Sequence, residues 1–260
     1  MTNDWYLKPA KAVHKSDIEA AQSHQAQLTK PLGSLGILEN IATQFCGWQH
    51  TNIPSCDKIQ IAVFAADHGV CNQAVSAFPQ EVTAQMVANF INGGAAISVL
   101  AKQLKANFKV INIGVASIIE DHALLVNAPL MAGTHDFTKQ AAMSHETLLA
   151  ALKLGQEQVD PNTSLFIGGD MGIGNTTSAS GIYSALLKQA PESTAGPGTG
   201  VDKDGIAIKR KVIYQAMNLH GEHFDEPMQI LQRIGGLEIA GLVGAYIECC
   251  LLYTSPSPRD

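Results

Sequence analysis

Short apolar runs alternate along the chain with longer stretches whose apolar residues recur at helical spacing. Three runs rich in Ile, Val and Phe favour strands, at 58–65, 109–115 and 165–167. Four stretches have helical spacing or composition, at 80–92, 95–102, 143–159 and 179–188. Strands that alternate with helices at this interval indicate βαβ units, so the pattern predicts an α/β fold with a mainly parallel sheet.

Two further helices are predicted before the first strand. The first spans 16–28, with Ser16 as N-cap and Glu19 three residues later, as in a capping box. The second spans 37–48, and its apolar residues fall on one face, which predicts core packing for Ile37, Leu38, Ile41, Ala42 and Phe45. The pattern therefore predicts a small N-terminal helical subdomain over 1–50 and a larger domain over 51–250.

The last ten residues, 251–260, do not continue the pattern that precedes them. Their Ser-Pro-Ser-Pro run is incompatible with a helix or a central strand. We therefore expect a non-native tail in this segment and leave it out of the predicted fold.

Composition and charge narrow the class of protein. The 260 residues are 46% hydrophobic with a net charge of −6, which argues against a nucleic-acid partner held by a general positive field. The five cysteines lack C-x-x-C spacing, so neither a disulfide framework nor a zinc ribbon is indicated. The N-terminus lacks the order of a secretory signal, and no uninterrupted apolar run is long enough to span a bilayer. We expect a cytoplasmic protein without a membrane partner.

A glycine-rich stretch after the third predicted strand carries the strongest chemical signal. It reads Gly168-Gly-Asp-Met-Gly-Ile-Gly174-Asn-Thr-Thr-Ser178. A glycine loop between a strand and a helix lets the backbone approach a phosphate, and the N–H groups at the helix start point at it. The spacing matches neither a P-loop nor the dinucleotide fingerprint. The alternative is a turn without a ligand, but Asp170 counts against it, because a carboxylate there needs a cationic or polar partner.

A second glycine-rich turn lies at 196–202 and is stiffened by Pro197. The helix predicted over 204–217 follows it and carries Lys209, Arg210 and Lys211. Exposed N–H groups beside a lysine make a second place to hold a phosphate. The alternative for three adjacent charges is a solvated helix face.

Polar residues also stand at the carboxyl end of the first predicted strand, where ligands bind in α/β sheets. Asp67 is a candidate site residue there, with the capping of a turn as the alternative, whereas for His68 we favour a structural position. One histidine beside one aspartate is not a metal site, and the pair His220 and His223 has no third ligand in view, so no metal is predicted.

An apolar stripe follows Phe78 and Pro79 on the helix at 80–92. Such stripes usually pack into a core. The alternative is a flat apolar slot formed by Phe78 and Met86, which lies two helical turns further on.

Seven separated motifs occur in one order along the chain. They are Lys30-Pro-Leu-Gly-Ser-Leu-Gly-Ile-Leu-Glu39, Ala66-Asp-His-Gly-Val70, Phe78-Pro79 with Val82-Thr83, Gly93-Gly94, Gly169-Asp-Met-Gly-Ile-Gly-Asn-Thr-Thr177, Gly198-Thr-Gly-Val-Asp202 and Gly235-Gly-Leu-Glu238. In these motifs, over about 28–247, the chain resembles the nicotinate-nucleotide:dimethylbenzimidazole phosphoribosyltransferase family. The agreement of seven motifs in order and type makes the resemblance specific.

The resemblance implies a Rossmann-like, mainly parallel sheet with flanking helices, a small helical domain, a homodimer and no cofactor. It implies transfer of phosphoribose from nicotinate mononucleotide to a nitrogen of dimethylbenzimidazole, in cobalamin lower-ligand synthesis. The products are α-ribazole phosphate and nicotinate. By resemblance, the nucleotide lies near Gly172, Gly174, Asn175, Thr176, Gly198, Gly200 and Lys209. The base-pocket positions are Phe78, Met86 and Met171. Methionines suit such a pocket because they adapt to aromatic rings.

One motif of the family does not occur in these 260 residues. The family's general-base glutamate lies in a C-terminal Arg-Leu-Gly-Glu-Gly motif. We therefore expect an N-terminal part of the enzyme with impaired transfer, in which Asp170 has a supporting role. The alternative is a nucleotide-binding protein without catalysis. A nicotinamide-dependent dehydrogenase fits poorly, because no acidic residue follows the first strand at the distance that a ribose contact needs.

Overall fold

The computed structural model describes residues 4–252. Within this range a single sheet contains β1 (Ile59–Ala66), β2 (Asn107–Gly114), β3 (Leu125–Asn127) and β4 (Leu165–Met171). Every pair of neighbouring strands is parallel, in the order β3-β2-β1-β4. The predicted α/β class and parallel sheet are confirmed, and the short strand β3 is an element that the pattern missed.

The strand order reverses direction between β1 and β4. The chain runs outward from β1 to β2 and β3, then returns to place β4 on the other side of β1. At such a switch point the connections after two neighbouring strands diverge and leave a crevice at the carboxyl ends. Ala65 pairs with Met171 at that end of the two strands. The fold therefore locates a crevice beside the residues that follow Ala66 and Met171.

Ten α-helices accompany the sheet in the described range. They are α1 (Lys15–Gln25), α2 (Ile37–Gln49), α3 (Val82–Ile91), α4 (Ala96–Gln103), α5 (His145–Glu157), α6 (Asn175–Leu187), α7 (Pro191–Thr194), α8 (Lys203–His220), α9 (Pro227–Ile234) and α10 (Leu237–Leu252). Single 3-10 turns occur at Trp5–Leu7, Gly69–Gln73 and Gly221–His223.

The two faces of the sheet are covered by different helices. Helices α5 and α10 pack on one face against Phe64, Ile111 and Ile113, and α3 and α4 pack on the other. A Cβ atom added to Gly155 of α5 would lie 1.8 Å from the carbonyl oxygen of Gly241 of α10. The small residues at Gly155 and Gly241 therefore allow α5 and α10 to pack closely.

A third apolar cluster lies beside the sheet and joins α6, α8 and α9. Its members include Ala185 of α6, Val212 and Ala216 of α8, and Ile230 and Ile234 of α9. Because these helices pack on one another, the start of α6 and the first half of α8 are held in a fixed relation. Both carry candidate site residues.

The predicted capping box at the start of α1 is wrong. The helix begins at Lys15, His14 is the N-cap residue, and no side chain caps it. The reason is a tertiary contact: the backbone N–H of His14 donates to the carbonyl of Gly47 in α2. That bond fixes where the chain turns into α1, and Ser16 falls inside the first turn.

The predicted core stripe of α2 is wrong at three of its five residues, while Ala42 and Phe45 are half-buried. Ile37 is 72% exposed, Leu38 is 61% exposed and Ile41 is 43% exposed. The residues that α2 buries are instead Thr43, Cys46 and Gly47, and α1 packs against this helix. Periodicity identified an apolar face, but it does not show whether another element covers that face.

Both ends of the described chain meet the main sheet domain. Trp5 is buried in the same cluster as Phe64 of β1. Leu251 and Leu252, which we expected to lie outside the fold, continue helix α10, and the carbonyl of Leu252 accepts from the ammonium group of Lys11 at 2.6 Å. The rest of the expected tail lies outside the described residues. The division at residue 50 stays a prediction.

One stretch of the described chain, Val82–Gln103, is long and apolar enough to cross a membrane by length and composition. It corresponds to α3 and α4, which are separate helices joined through Gly93 and Gly94. Both helices pack against β2 of the sheet.

Candidate functional site

Strand β4 and helix α6 approach each other more closely than the sequence predicted. We expected the strand to end at Ile167 and the helix to begin at Ala179. The strand instead extends through Asp170 and Met171, because the backbone pairs with β1 along its whole length. The loop shortens to 172–174, and α6 begins directly after it.

This short glycine loop is packed against the connection that follows β1. Gly174 has φ +95°, and a Cβ atom there would lie 2.7 Å from the Sγ atom of Cys71. The backbone N–H of Ile173 donates to the hydroxyl of Thr83 in α3. The loop therefore touches the ends of β1 and α3, and it leads into the positive end of the α6 dipole at Asn175.

The second glycine turn comes to the same place. Gly198 has φ +54°, and a Cβ atom there would lie 2.6 Å from both the Nζ atom of Lys209 and the Oγ1 atom of Thr176. Asp202 caps α8, because its side chain accepts from the N–H of Gly205. The turn, the start of α6 and Lys209 contact one another, and we call this group the two-loop cradle.

Lys209 carries the charge of the two-loop cradle. It is 2% exposed, and its Nζ atom donates to the Oγ1 atom of Thr176 at 2.8 Å. Burial lowers the pKa of its ammonium group. No ion pair of Lys209 occurs among the described residues. The alternative of a solvated face is therefore wrong for Lys209, although the neighbouring Lys211 is exposed.

Asp67 and His68 follow β1 at the crevice and are both buried. The Oδ2 atom of Asp67 accepts from the N–H of Ala116 at 2.8 Å. The Nε2 atom of His68 lies 2.7 Å from the Oε1 atom of Glu238 near the start of α10. This buried pair joins the end of β1 to α10 directly behind the glycine loop.

The protonation of His68 is set by its surroundings. Burial acts to lower its pKa, but the charge and hydrogen bond of Glu238, with the charges of Asp67 and Asp170, raise it above its ordinary value. The Oε2 atom of Glu238 and the Oδ1 atom of Asp67 are buried and have no hydrogen-bond partner among the described residues. These buried carboxylate oxygens give the base of the crevice a negative potential.

Asp170 stands at the end of β4, on the open side of the crevice. Its Oδ2 atom accepts from the side-chain amide of Asn175 in the first turn of α6. Partial burial and the charge of Glu238 raise the pKa of Asp170. The hydrogen bond from the amide of Asn175 and the charge of His68 oppose this rise. The carboxylate therefore lies between the two-loop cradle and the buried pair His68–Glu238.

Two of the three predicted base-pocket residues pack against one apolar cluster on the sheet. Met86 of α3 and Met171 of β4 are half-buried and pack against the same apolar cluster as Val63. Phe78 is 50% exposed and lies outside this cluster. Its segment borders the second glycine turn, since the hydroxyl groups of Ser76 and Thr199 are 3.5 Å apart.

Three further histidines have partners outside the crevice. The Nε2 atom of His220 bonds the carbonyl of Phe137, which accounts for its burial. Among the described residues, metal-ligand side chains converge at one place only, where His14, Asp17 and His50 meet. That cluster lies away from the crevice, between α1 and α2.

Sequence reasoning missed the role of Glu238 as the partner of His68. The two residues are 170 positions apart, so no local pattern connects them. A signal was nevertheless present, because Glu238 is the single charged residue between Gly235 and Ile247. A lone carboxylate in an apolar helix needs a buried partner.

Comparison with protein families gives a match over most of the chain. Residues 10–253 match the family model described as a phosphoribosyltransferase. A nicotinate-nucleotide--dimethylbenzimidazole phosphoribosyltransferase of Pseudomonas syringae pv. tomato is 49% identical over 253 residues, which are 96% of this chain and 72% of that relative. The enzyme of the same name from Xanthomonas oryzae pv. oryzae is 46% identical over 95% of this chain and 72% of its own.

Solved structures give the same result. The crystal structure of CobT from Thermus thermophilus superposes with a TM-score of 0.84 at 36% identity, and the match covers 90% of this chain and 71% of that one. At this identity the similarity concerns the sequence as well as the fold.

Proposed function

The chain belongs to the nicotinate-nucleotide–dimethylbenzimidazole phosphoribosyltransferase family, and from that premise we propose that it acts in phosphoribosyl transfer. The donor is nicotinate mononucleotide and the acceptor is dimethylbenzimidazole. An acceptor nitrogen forms a bond to C1′ of the ribose while the bond from C1′ to the nicotinate nitrogen breaks. The acceptor N–H proton passes to a base, and the products are α-ribazole phosphate and nicotinate, in the synthesis of the cobalamin lower ligand.

The observation that carries this proposal is the buried ammonium group of Lys209, which has no ion-pair partner among residues 4–252. A buried charge is costly unless an opposite charge or hydrogen bonds compensate it. The Oγ1 atom of Thr176 is a neutral partner, so the donor's phosphate supplies the missing anion. The positive end of α6 and the Gly198 turn favour the same anion.

The acceptor base needs a flat apolar site with few polar groups. Met86 and Met171 supply polarizable side chains at the crevice, and both pack on the sheet rather than on a free loop. Phe78 is exposed on the segment that borders the Gly198 turn, and we propose that it covers the open side of this site.

Asp170 is proposed to stabilise the positive charge that develops on the ribose as nicotinate leaves. Its carboxylate accepts from Asn175 at the start of α6 and directly precedes Met171 in β4, so we propose that C1′ binds beside it. It does not serve as the main base, because its Oδ2 atom is already bonded to Asn175. By resemblance, that base belongs to the Arg-Leu-Gly-Glu-Gly motif, and absence of a positioned base lowers a rate by about 10²–10⁴-fold.

We further propose a cytoplasmic homodimer without nucleic-acid or membrane partners and without a cofactor. The net charge of −6 supports the absence of a nucleic-acid partner. The exposed Leu32, Ile37 and Leu38 support an apolar contact with a second copy. Light scattering after size exclusion tests this, because a monomer at micromolar concentration contradicts the dimer.

Two assays on the same preparation test the function. Calorimetric titration with nicotinate mononucleotide measures donor binding, and chromatography of mixtures with dimethylbenzimidazole measures α-ribazole phosphate. We expect donor binding, and transfer that is slow relative to the Pseudomonas syringae enzyme. No donor binding contradicts the proposal. Binding with no detectable transfer in long incubations favours the alternative, a nucleotide-binding protein without catalysis.

A further inference from the structure

We propose that His14, Asp17 and His50 bind a divalent transition-metal ion such as zinc at the junction of α1 and α2. His14 precedes α1, Asp17 lies in its first turn, and His50 follows α2. One ligand atom of each residue lies within 4.8 Å of the other two. The proposed transfer does not use this cluster. His14 and His50 border a cavity at the amino end of β4, which is opposite the end that carries Asp170.

The donor set determines which ions fit. Two imidazole nitrogens and one carboxylate oxygen suit zinc, copper, nickel and cobalt, whereas magnesium and calcium prefer oxygen ligands alone. Three protein ligands also leave at least one position for water. The chemistry of the cluster therefore selects a transition metal.

The backbone at the three positions is already fixed by hydrogen bonds. The N–H of His14 donates to the carbonyl of Gly47 at 3.1 Å, and the N–H of Asp17 donates to the carbonyl of His14 at 3.1 Å. The N–H of His50 donates to the carbonyl of Cys46. Ligands on helix ends that are tied to each other hold a metal better than ligands on a free loop.

The side chains need only a small rearrangement. The Nδ1 atom of His50 and the Oδ2 atom of Asp17 are 2.6 Å apart and form a hydrogen bond. Ligand atoms that both contact zinc lie roughly 3 Å apart, and an ion that replaces the proton therefore separates them slightly. The rings of His14 and His50 are stacked at 3.6 Å, so one ring must turn toward the ion. The His50 side chain is 66% exposed, which leaves it room to turn.

The ion would join the start of α1 to the end of α2. A ligand that binds the folded arrangement and not the unfolded chain stabilises the fold. One nearby cation is Lys11, which borders the same cavity, and its ammonium group donates to the carbonyl of Leu252. The site is thus structural in its effect and independent of the two-loop cradle.

The test is calorimetric titration of the untagged 260-residue chain with zinc chloride. We expect one ion per chain, and at least about tenfold weaker binding in each of H14Q, D17N and H50Q, since even loss of an outer contact costs a metal site 10–100-fold. The controls H24Q and H223Q replace exposed histidines elsewhere and should leave the affinity unchanged. The proposal is overturned if the unmodified chain does not bind zinc. It is also overturned if H14Q, D17N and H50Q bind zinc as tightly as the unmodified chain does.

A second measurement avoids variants altogether. Cobalt replaces zinc, and its absorption spectrum reports the ligands. A spectrum without a thiolate charge-transfer band, with NMR shifts at the rings of His14 and His50 and none at His24, supports the site. A thiolate band indicates binding at a cysteine such as the exposed Cys56 and overturns it. Zinc at a hundredfold excess over the dissociation constant should also raise the thermal midpoint by about 5 °C or more.

Discussion

The ammonium group of Lys209 on α8 lies 2.8 Å from the hydroxyl of Thr176 in the first turn of α6. This contact joins the two glycine-rich segments of the chain, which are otherwise separated by more than one helix. It also leaves a buried cation beside a helix N-terminus. The arrangement suits a phosphate better than any neutral ligand.

Replacement of Lys209 by methionine should weaken binding of nicotinate mononucleotide by about 10- to 100-fold, because a hydrogen bond to a charged group is lost. The fold should tolerate the change, since methionine keeps the apolar stem and removes a buried charge. Calorimetric titration measures the loss. The control is Lys211→Met on the exposed side of α8, and an equal loss in that variant would refute the assigned role.

Replacement of Gly198 by alanine should also weaken donor binding. The added Cβ would lie 2.6 Å from the Nζ atom of Lys209, so the ammonium group has to move. The position also has φ +54°, which costs an L-residue about 1 kcal/mol. Gly196→Ala in the same turn is the matched control, because its Cβ meets nothing within 4 Å. Similar donor affinities for the two variants would contradict the cradle.

Local sequence patterns correctly predicted the elements whose bounds depend mainly on nearby residues. The runs at 58–65 and 109–115 became β1 and β2, and the predicted breaks after Asn92 and before Pro161 occur in the structure. Strand β4 extended further than predicted because parallel pairing with β1 outweighs the weak strand preference of Gly168 and Gly169. Helix α6 starts earlier than predicted, and the hydroxyl of Ser178 in its first turn donates to the carbonyl of Ile234, a contact that no local pattern shows.

The candidate site was predictable in its loops but not in its buried charges. Glycines at 172, 174, 198 and 200 are visible in the sequence, and their spacing indicates an anion site. The burial of Lys209 and the pairing of His68 with Glu238 depend on helices that approach from distant parts of the chain. The exposed stripe of α2 is the opposite case. Its regular apolar pattern predicts burial, but no element of the described structure covers it.

Two helical glycines should respond to alanine in opposite ways. In Gly155→Ala the Cβ would lie 1.8 Å from the carbonyl of Gly241, so α5 and α10 must separate, which should cost about 1–3 kcal/mol of unfolding free energy. In Gly181→Ala the Cβ meets the Cδ1 atom of Ile234 at 3.5 Å, an ordinary contact. That variant should gain up to about 1 kcal/mol from helix propensity. Urea unfolding measures both, and a loss in both variants would show that packing near Gly181 is tighter than described.

The pair His68–Glu238 should give the free energy of unfolding a specific dependence on pH. The raised pKa of His68 belongs to the folded state, so the folded chain holds a proton that the unfolded chain releases above a pKa of about 6.5. The stabilisation is therefore fully present below about pH 6.5 and is lost as the pH rises through the raised value.

Glu238→Gln removes the charge that raises this pKa and should flatten that dependence. The variant should lose most stability near pH 6 and progressively less toward pH 9, with a loss of up to about 3–5 kcal/mol where the imidazolium is left without its partner. Urea unfolding at several pH values measures the difference from the unmodified chain. Glu222→Gln is the matched control, because Glu222 is 82% exposed and faces His223 at 3.5 Å. A constant difference across the pH range would mean that Glu238 stabilises the fold through packing and hydrogen bonding alone, with His68 neutral throughout.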